Sequence, residues 1–344
     1  MDNFFLQWHP QIMDPERIPV AIAAIFVVSV VGMISGPLAG NANPFFWLFL
    51  DKASGLFGDR LDRIERPRSD LVFRGFVLST VSIFLSMLAG GALATYAASA
   101  SIYGMAEILC LGLVITSGSV WFVLLRLYFA LEKKKLEKGA YYGISISTRT
   151  NFSLSDDFGI TRAAIGYVGR SFDKGLVAPV FWYLIGGLPL AFVYAALGAM
   201  AWRFGKDGFT KGFGSVPLAL ERLMGFVPAL FSAVLITCAG LFTPTASLSK
   251  GVASWLGHKN RAKYEQGGFP LSAIAWLLNV SLGGASQDIT GSAIKSEWTG
   301  PQGASARIDH THLRCALYIS VMAHILFLAS LCGAYVWSGQ IISN

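Results

Sequence analysis

The chain has 344 residues, 54% hydrophobic and only 14% charged, with a formal net charge of +7. Soluble domains carry about 25% charged residues, so this chain has too little charge to cover a soluble globule of its size, and a disordered chain is excluded more firmly. The charges are also segregated: no Asp, Glu, Lys or Arg stands between Arg17 and Asp51, Arg74 and Glu107, Glu107 and Arg126, Lys174 and Arg203, or Arg222 and Lys250, nor after Arg314. A membrane-crossing helix needs about 20 apolar residues, and the pattern predicts an all-α, polytopic helical membrane protein.

In chain order, spans are expected near 19–40, 75–97, 105–126, 176–200, 223–245 and 315–338. Residues 1–17 hold Asp2, Asp14 and Glu16 against one Arg, where a cleaved signal wants a basic start, so the first span is read as retained. Gly32, Gly36 and Gly40 on that span have the spacing of close helix packing. Residues 44–66 mix aromatics with charges and read as an interfacial amphipathic helix. The lysine-rich stretch 131–138 reads as a helical extension of the third span that anchors near anionic headgroups. Ser155-Asp156-Asp157 reads as a cap before a short helix. The glycine-rich stretch 204–214 lacks phosphate-loop spacing and reads as an outer loop. The run 271–284 is short for a span and reads as a re-entrant or buried helix.

His310 and His312 have no third ligand nearby, so no metal site is assigned, and Asp309 or Thr311 reads as the cap of the last span. His324 inside that span is either a functional ionisable group or a neutral ring bonded to a backbone carbonyl. The four cysteines stand singly and read as packing residues. Glu107 and the Glu221-Arg222 pair sit only at span ends, which argues against an ion-coupled transporter.

Six spans put 51–74, 126–174 and 250–314 on one side. These hold 22 basic and 14 acidic residues, against 5 and 6 in the remainder. The positive-inside tendency makes the three segments a cytoplasmic helical cap and leaves both termini outside. The basic balance thus belongs to topology, and no nucleic-acid partner is expected.

The stretch 173–190, DKGLVAPVFWYLIGGLPL, resembles a block of the CobD/CbiB family of cobalamin-biosynthesis membrane proteins, through Asp173, Gly175, Ala178, Pro179, Phe181, Trp182, Gly186, Gly187 and Pro189. Further resemblances follow in the family's order. They are Asn43-Pro44 with FFWLF, Arg149 with Leu154, Arg162-Ala163-Ala164, Phe213-Gly214, Pro228-Ala229, Gly267-Gly268-Phe269-Pro270, and Leu282-Gly283-Gly284. Together they cover roughly 20–325. The resemblance implies ATP-dependent formation of an amide bond between cobyric acid and aminopropanol or its phosphate, giving cobinamide. ATP and Mg²⁺ would be co-substrates, with no covalently bound cofactor. A corrinoid substrate, the lipid bilayer and a membrane protein partner are the implied companions, and a bacterial inner membrane is the implied location. By the same resemblance the substrate-contact candidates are Arg149, Asp173, Gly186, Gly187, Gln266 and Gly268. Catalytic residues are unassigned.

This sequence departs from the family pattern mainly at polar positions. Two Glu and an Asn of the family appear as Gly166, Arg170 and Ser171, an Asp-Asp pair as Glu221-Arg222, and the Glu after Gly-Gly-Phe-Pro as Leu271. Gly, Pro and aromatic positions are the ones retained. Three readings stay open: an adenosylcobinamide-phosphate synthase-like ligase, a non-catalytic CobD/CbiB-like membrane subunit, scaffold or regulator, and a passive small-molecule pathway. If chemistry is retained, a pocket is expected at the cytoplasmic end of the fourth span, with Arg149 and Asp173 facing it and 266–270 closing one wall. An Arg170–Asp173 or Arg149–Asp173 contact is expected there, without a carboxylate cluster able to hold Mg²⁺. Gly186, Gly187 and Pro189 are expected to allow close packing or a break in that span.

Overall fold

The computed structural model describes residues 14–63, 65–100, 104–210, 212–256 and 261–343. The acidic start read at 1–17 falls mostly outside them. Among the described residues, five helical stretches are long and apolar enough to cross a membrane: Arg17–Ser35, Arg68–Ser99, Asp157–Phe204, Ser215–Phe242 and His310–Ser338. The protein is a polytopic helical membrane protein.

Helix α1 (Arg17–Ser35) is followed by α2 (Phe45–Leu61), whose inner face buries Phe46, Trp47 and Leu50 while Phe49, Leu56 and Phe57 stay exposed. This is the amphipathic segment. Helix α3 (Arg68–Ser99) leads to α4 (Met105–Gly112) and α5 (Gly118–Glu132). The third span expected as one helix is thus two, parted by residues 113–117. The break is used: Phe46 N donates to Leu113 O at 2.9 Å, and Thr116 N to Gly175 O at 2.8 Å. Gly118 lets α5 lie on α1, since a Cβ there would sit 1.9 Å from Ser29 O. Helix α5 stops at Glu132, and Lys134 takes a positive φ of 53°. The lysine cluster is therefore a turn rather than a helical extension. Helix α6 (Lys138–Thr148) follows.

Next come β1 (Thr150–Asn151), α7 (Asp157–Phe172), a π turn (Asp173–Val177) and α8 (Ala178–Phe204). Asp156 caps α7, accepting from Gly159 N at 2.7 Å. The fourth span was expected to cross once, over 176–200. It instead reverses at Gly186 (φ −136°, ψ 22°) and Gly187 (φ 67°, ψ −162°). Tyr167 OH donates to Asn43 Oδ1 at 3.2 Å, Asn43 Nδ2 to Ser147 O at 2.9 Å, and Trp202 Nε1 to the same Ser147 O at 2.8 Å. Tyr167 and Trp202 are thirty-five positions apart. On a straight helix that is about 50 Å, so the element is a helical hairpin with its tip at the glycine pair. The tip meets the start of α1, where Arg17 Nη1 donates to Leu184 O, and the start of α4, where Tyr183 OH donates to Glu107 Oε1 at 2.9 Å.

The hairpin corrects the expected placement of 204–214 on the outer side. Lys206, just past its second arm, pairs with Asp288 and donates to Arg149 O. It therefore shares the polar end with the segments expected in the cytoplasm.

Helix α9 (Ser215–Ala239) carries Glu221 and Ser232 into the core. Helix α10 (Leu248–Leu256) precedes α11 (Gly268–Leu277), a short, buried apolar helix. The chain then forms a ribbon read from sequence only as part of a helical cap: β2 (Leu282–Asp288) pairs antiparallel with β3 (Ala293–Thr299), and β1 adds to β2. Helix α12 (His310–Ser343) closes the fold. Asp309 caps it, accepting from Thr311 N at 3.0 Å. His324 Nδ1 lies 2.6 Å from Ser320 O, between Trp121 and Phe172.

Candidate functional site

At the polar end, α7, the 148–156 loop, the 264–271 turn and the β2–β3 ribbon enclose an open cavity of about 430 Å³. Helix α7 gives one full face to it: Gly159, Arg162, Ala163, Gly166, Tyr167 and Arg170. That spacing is the i, i+3, i+4 stripe of a helix, and two of the six are glycines, which leaves room in front of the helix. Across the cavity, Leu282, Gly283, Gly284 and Ser286 of β2 and Ile294 and Ser296 of β3 form the opposite wall. Glu265, Gln266 and Leu271 close one side, and Lys206 reaches in from the end of the hairpin.

The cations on this wall are Arg162, Arg170 and Lys206, and the acids are Asp156 and Glu265. Asp156 is occupied by its cap. Arg162 Nη1 donates to Ala306 O at 2.8 Å and its guanidinium lies 5.3 Å from the Trp298 ring centre. Burial pushes the Lys206 amine down to about 8 despite the opposing pull of Asp288. Asp288 is itself desolvated, but its bonds from Lys206 and Thr290 outweigh that and hold its carboxyl below the usual range. Among the described residues, no three metal-binding side chains come together. The donor set fits an anion and does not fit a preassembled metal centre.

Behind the wall lies a second, sealed layer of charge. Lys174 Nζ donates to Glu221 Oε2 at 3.0 Å, Tyr194 OH to Glu221 Oε1 at 3.1 Å, and Tyr264 OH to Glu221 O at 3.1 Å. Lys174 also sits over the Tyr264 ring at 4.2 Å. Asp173 Oδ1 accepts from Ser232 Oγ at 3.1 Å. Asp173, Lys174 and Glu221 are all buried. The sequence reading placed charge only at span ends and missed this cluster, because each of its members borders a charge-free run.

Of the six residues singled out from sequence, Gln266 lines the cavity. Arg149 does not: its guanidinium goes to Asp51 at 3.2 Å and over Trp202, while its carbonyl takes Lys206. It ties α2, the hairpin and the ribbon together. Asp173 stands one layer behind the wall. Gly268 begins α11 beside the cavity without lining it, and Gly186 and Gly187 form the hairpin tip at the opposite end. Neither expected arginine contact of Asp173 forms, since Arg149 is paired with Asp51 and Asp173 with Ser232. Sequence reasoning also missed Lys206 and the Gly283–Ser296 wall. The Thr290-Gly291 turn between two short alternating segments was the available signal for the ribbon.

Fold and site together define an integral membrane protein with an open, cation-lined cavity at its polar end. The model of the family described as CobD/Cbib protein matches residues 49–319, and the chain belongs to that family. The cobalamin biosynthesis protein CobD of Brucella anthropi is 28% identical over 186 residues, 53% of this chain and 56% of that protein. The one of Sinorhizobium fredii is 26% identical over 276 residues, 76% and 82% of the two chains. That of Clostridium perfringens is 30% identical over 131 residues, 38% and 41%. The match to the Brucella relative thus spans little more than half its length. No solved structure matches the chain.

Proposed function

We propose that the protein works in cobalamin biosynthesis in the bacterial cytoplasmic membrane, with the cavity end in the cytoplasm, and joins cobyric acid to aminopropanol or its phosphate. The observation that carries this reading is the open cavity on a family fold: its floor is not filled by side chains, and its walls hold three cations and several hydroxyls. A volume of about 430 Å³ is at the small end for ligand sites. It suits the amine component and the reacting side chain, with the corrin resting at the mouth.

The reaction condenses a carboxylate with an amine. The carboxylate oxygen leaves as phosphate oxygen, ATP becomes ADP and phosphate, and the amine proton must be accepted. Arg162, Arg170 and Lys206 would stabilise the negative charge that gathers on the acyl phosphate and on the leaving phosphate. With Asp156 committed to its cap, the wall carboxylate that could take the amine proton is Glu265. No step is assigned to residues at the hairpin tip.

A second reading, a non-catalytic CobD/CbiB-like subunit, is favoured by one observation: of the two carboxylates that line the cavity, Asp156 is committed as a helix cap, and the further carboxylates Asp173 and Glu221 are buried behind the wall. Growth separates the two readings. The gene is placed in a strain lacking its own cobinamide-forming membrane enzyme, and growth is made to depend on cobalamin built from cobyric acid. Rescue is expected from the ligase. No rescue by a well-expressed, membrane-inserted protein favours the subunit.

A further inference from the structure

Arg170 has no partner that accounts for its position. It stands at the inner end of the α7 stripe, largely buried, and its guanidinium makes no hydrogen bond or ion pair among the described residues. An arginine keeps its charge and presents five N–H donors in a planar fork. The acidic and hydroxyl groups around it are committed elsewhere. Glu221, its principal electrostatic neighbour, takes Lys174 and Tyr194. Asp173 takes Ser232, and the Tyr167 hydroxyl goes to Asn43.

The other two cations of the wall are occupied too: Arg162 by Ala306 O and the Trp298 ring, and Lys206 by Asp288 and Arg149 O. Space is left in front of Arg170. Gly166, one turn earlier, would meet only Leu271 Cδ1, at 3.5 Å, if it carried a Cβ. Gln266 faces the same cavity.

The geometry points to Arg170 as the anchor of a compact oxyanion, a phosphate monoester or a carboxylate on a short carbon chain, that enters the cavity from the polar end. The inference rests on the cavity being the substrate site. It makes Arg170 a specificity-determining binding residue: the fork takes either oxyanion through two parallel bonds. The apolar stretch formed by Phe152, Leu271 and Leu282 suits the chain that carries the anion. The cavity is open at the polar end, so a short arm that carries the anion can reach Arg170.

The test uses the full chain in lipid nanodiscs at fixed ionic strength, with sodium chloride as the control. Inorganic phosphate, methyl phosphate and propionate are titrated by calorimetry and by their effect on the melting temperature. Saturable binding of the phosphates alone assigns a phosphate monoester, and of propionate alone a carboxylate. Arg170→Gln should weaken whichever binds by at least tenfold, and Arg170→Lys by less. Gly166→Leu leaves Arg170 in place but fills the space before it. It should abolish binding while the ligand-free melting temperature is kept, and it decides the matter if Arg170→Gln fails to fold.

No saturable binding of any of the three, or binding unchanged in both Arg170→Gln and Gly166→Leu, overturns the inference. None of these titrations needs a corrinoid. Arg170-dependent binding without growth rescue would remove the ligase reading alone, and rescue without oxyanion binding would remove this inference alone.

Discussion

Lys174 Nζ lies 3.0 Å from Glu221 Oε2, with the two side chains 5% and 0% exposed. One residue comes from the π turn of the hairpin and the other from α9, so the pair joins two elements inside the core. Removing one member of a buried pair strands the other charge, which costs about 3–5 kcal/mol, whereas replacing both is often neutral. Glu221→Gln and Lys174→Met should each lower the melting temperature of the purified protein strongly. The double variant should recover most of the loss. Additive losses in the double variant would show that the pair holds the core by shape and not by charge.

The hairpin predicts its own topology. Cysteines placed at Lys135 and at exposed Thr210 should respond alike to an impermeant thiol reagent in intact cells, and one at Ser99 should respond oppositely. A straight helix over the 48 residues Asp157–Phe204 would extend about 70 Å. Spin labels at Phe158 and Thr210 should lie less than half that far apart. Gly187→Ala should destabilise the tip by about 1–3 kcal/mol, because φ 67° with ψ −162° is a backbone region essentially confined to glycine.

Lys206 gives a pH signature. Its folded pKa of about 8 lies below its ordinary 10.5, so between these values the unfolded chain binds the proton and the folded chain does not. Stability therefore rises with pH through that window. The melting temperature of the wild type should gain on that of Lys206→Met between about pH 8 and 10. Asp288 works at the other extreme: its depressed pKa contributes stability above its unfolded value that is lost as pH falls through the folded one. A difference between wild type and Lys206→Met that stays flat from pH 7 to 10 would contradict the assignment.

Much of this architecture is legible in the sequence, for a physical reason. Charge cannot sit in the bilayer without a partner, so the charge-free runs mark the apolar helices, and the amphipathic Phe45–Leu61 helix announces itself by its aromatics. What stays hidden is reversal within an apolar run. Residues 175–202 carry no charge, so nothing in composition distinguishes one crossing from a turn at Gly186-Gly187. The misplacement of Lys206 follows directly from that.

The buried Lys174–Glu221 pair was hidden for a related reason: a charge at the border of an apolar run looks like a surface anchor until the partner is known. Gln266 lines the cavity, while Arg149, equally polar, is used as a clip on Asp51. Only three-dimensional packing separates the two roles.

The most direct measurement is chemical. The purified full-length protein in nanodiscs is incubated with cobyric acid, aminopropanol phosphate, ATP and Mg²⁺, and the products are read by mass spectrometry. The account predicts the amide-linked cobinamide phosphate with matching release of ADP, and its loss in Arg170→Gln. A folded protein that binds the corrinoid but yields no amide product, with ATP unspent, would contradict it.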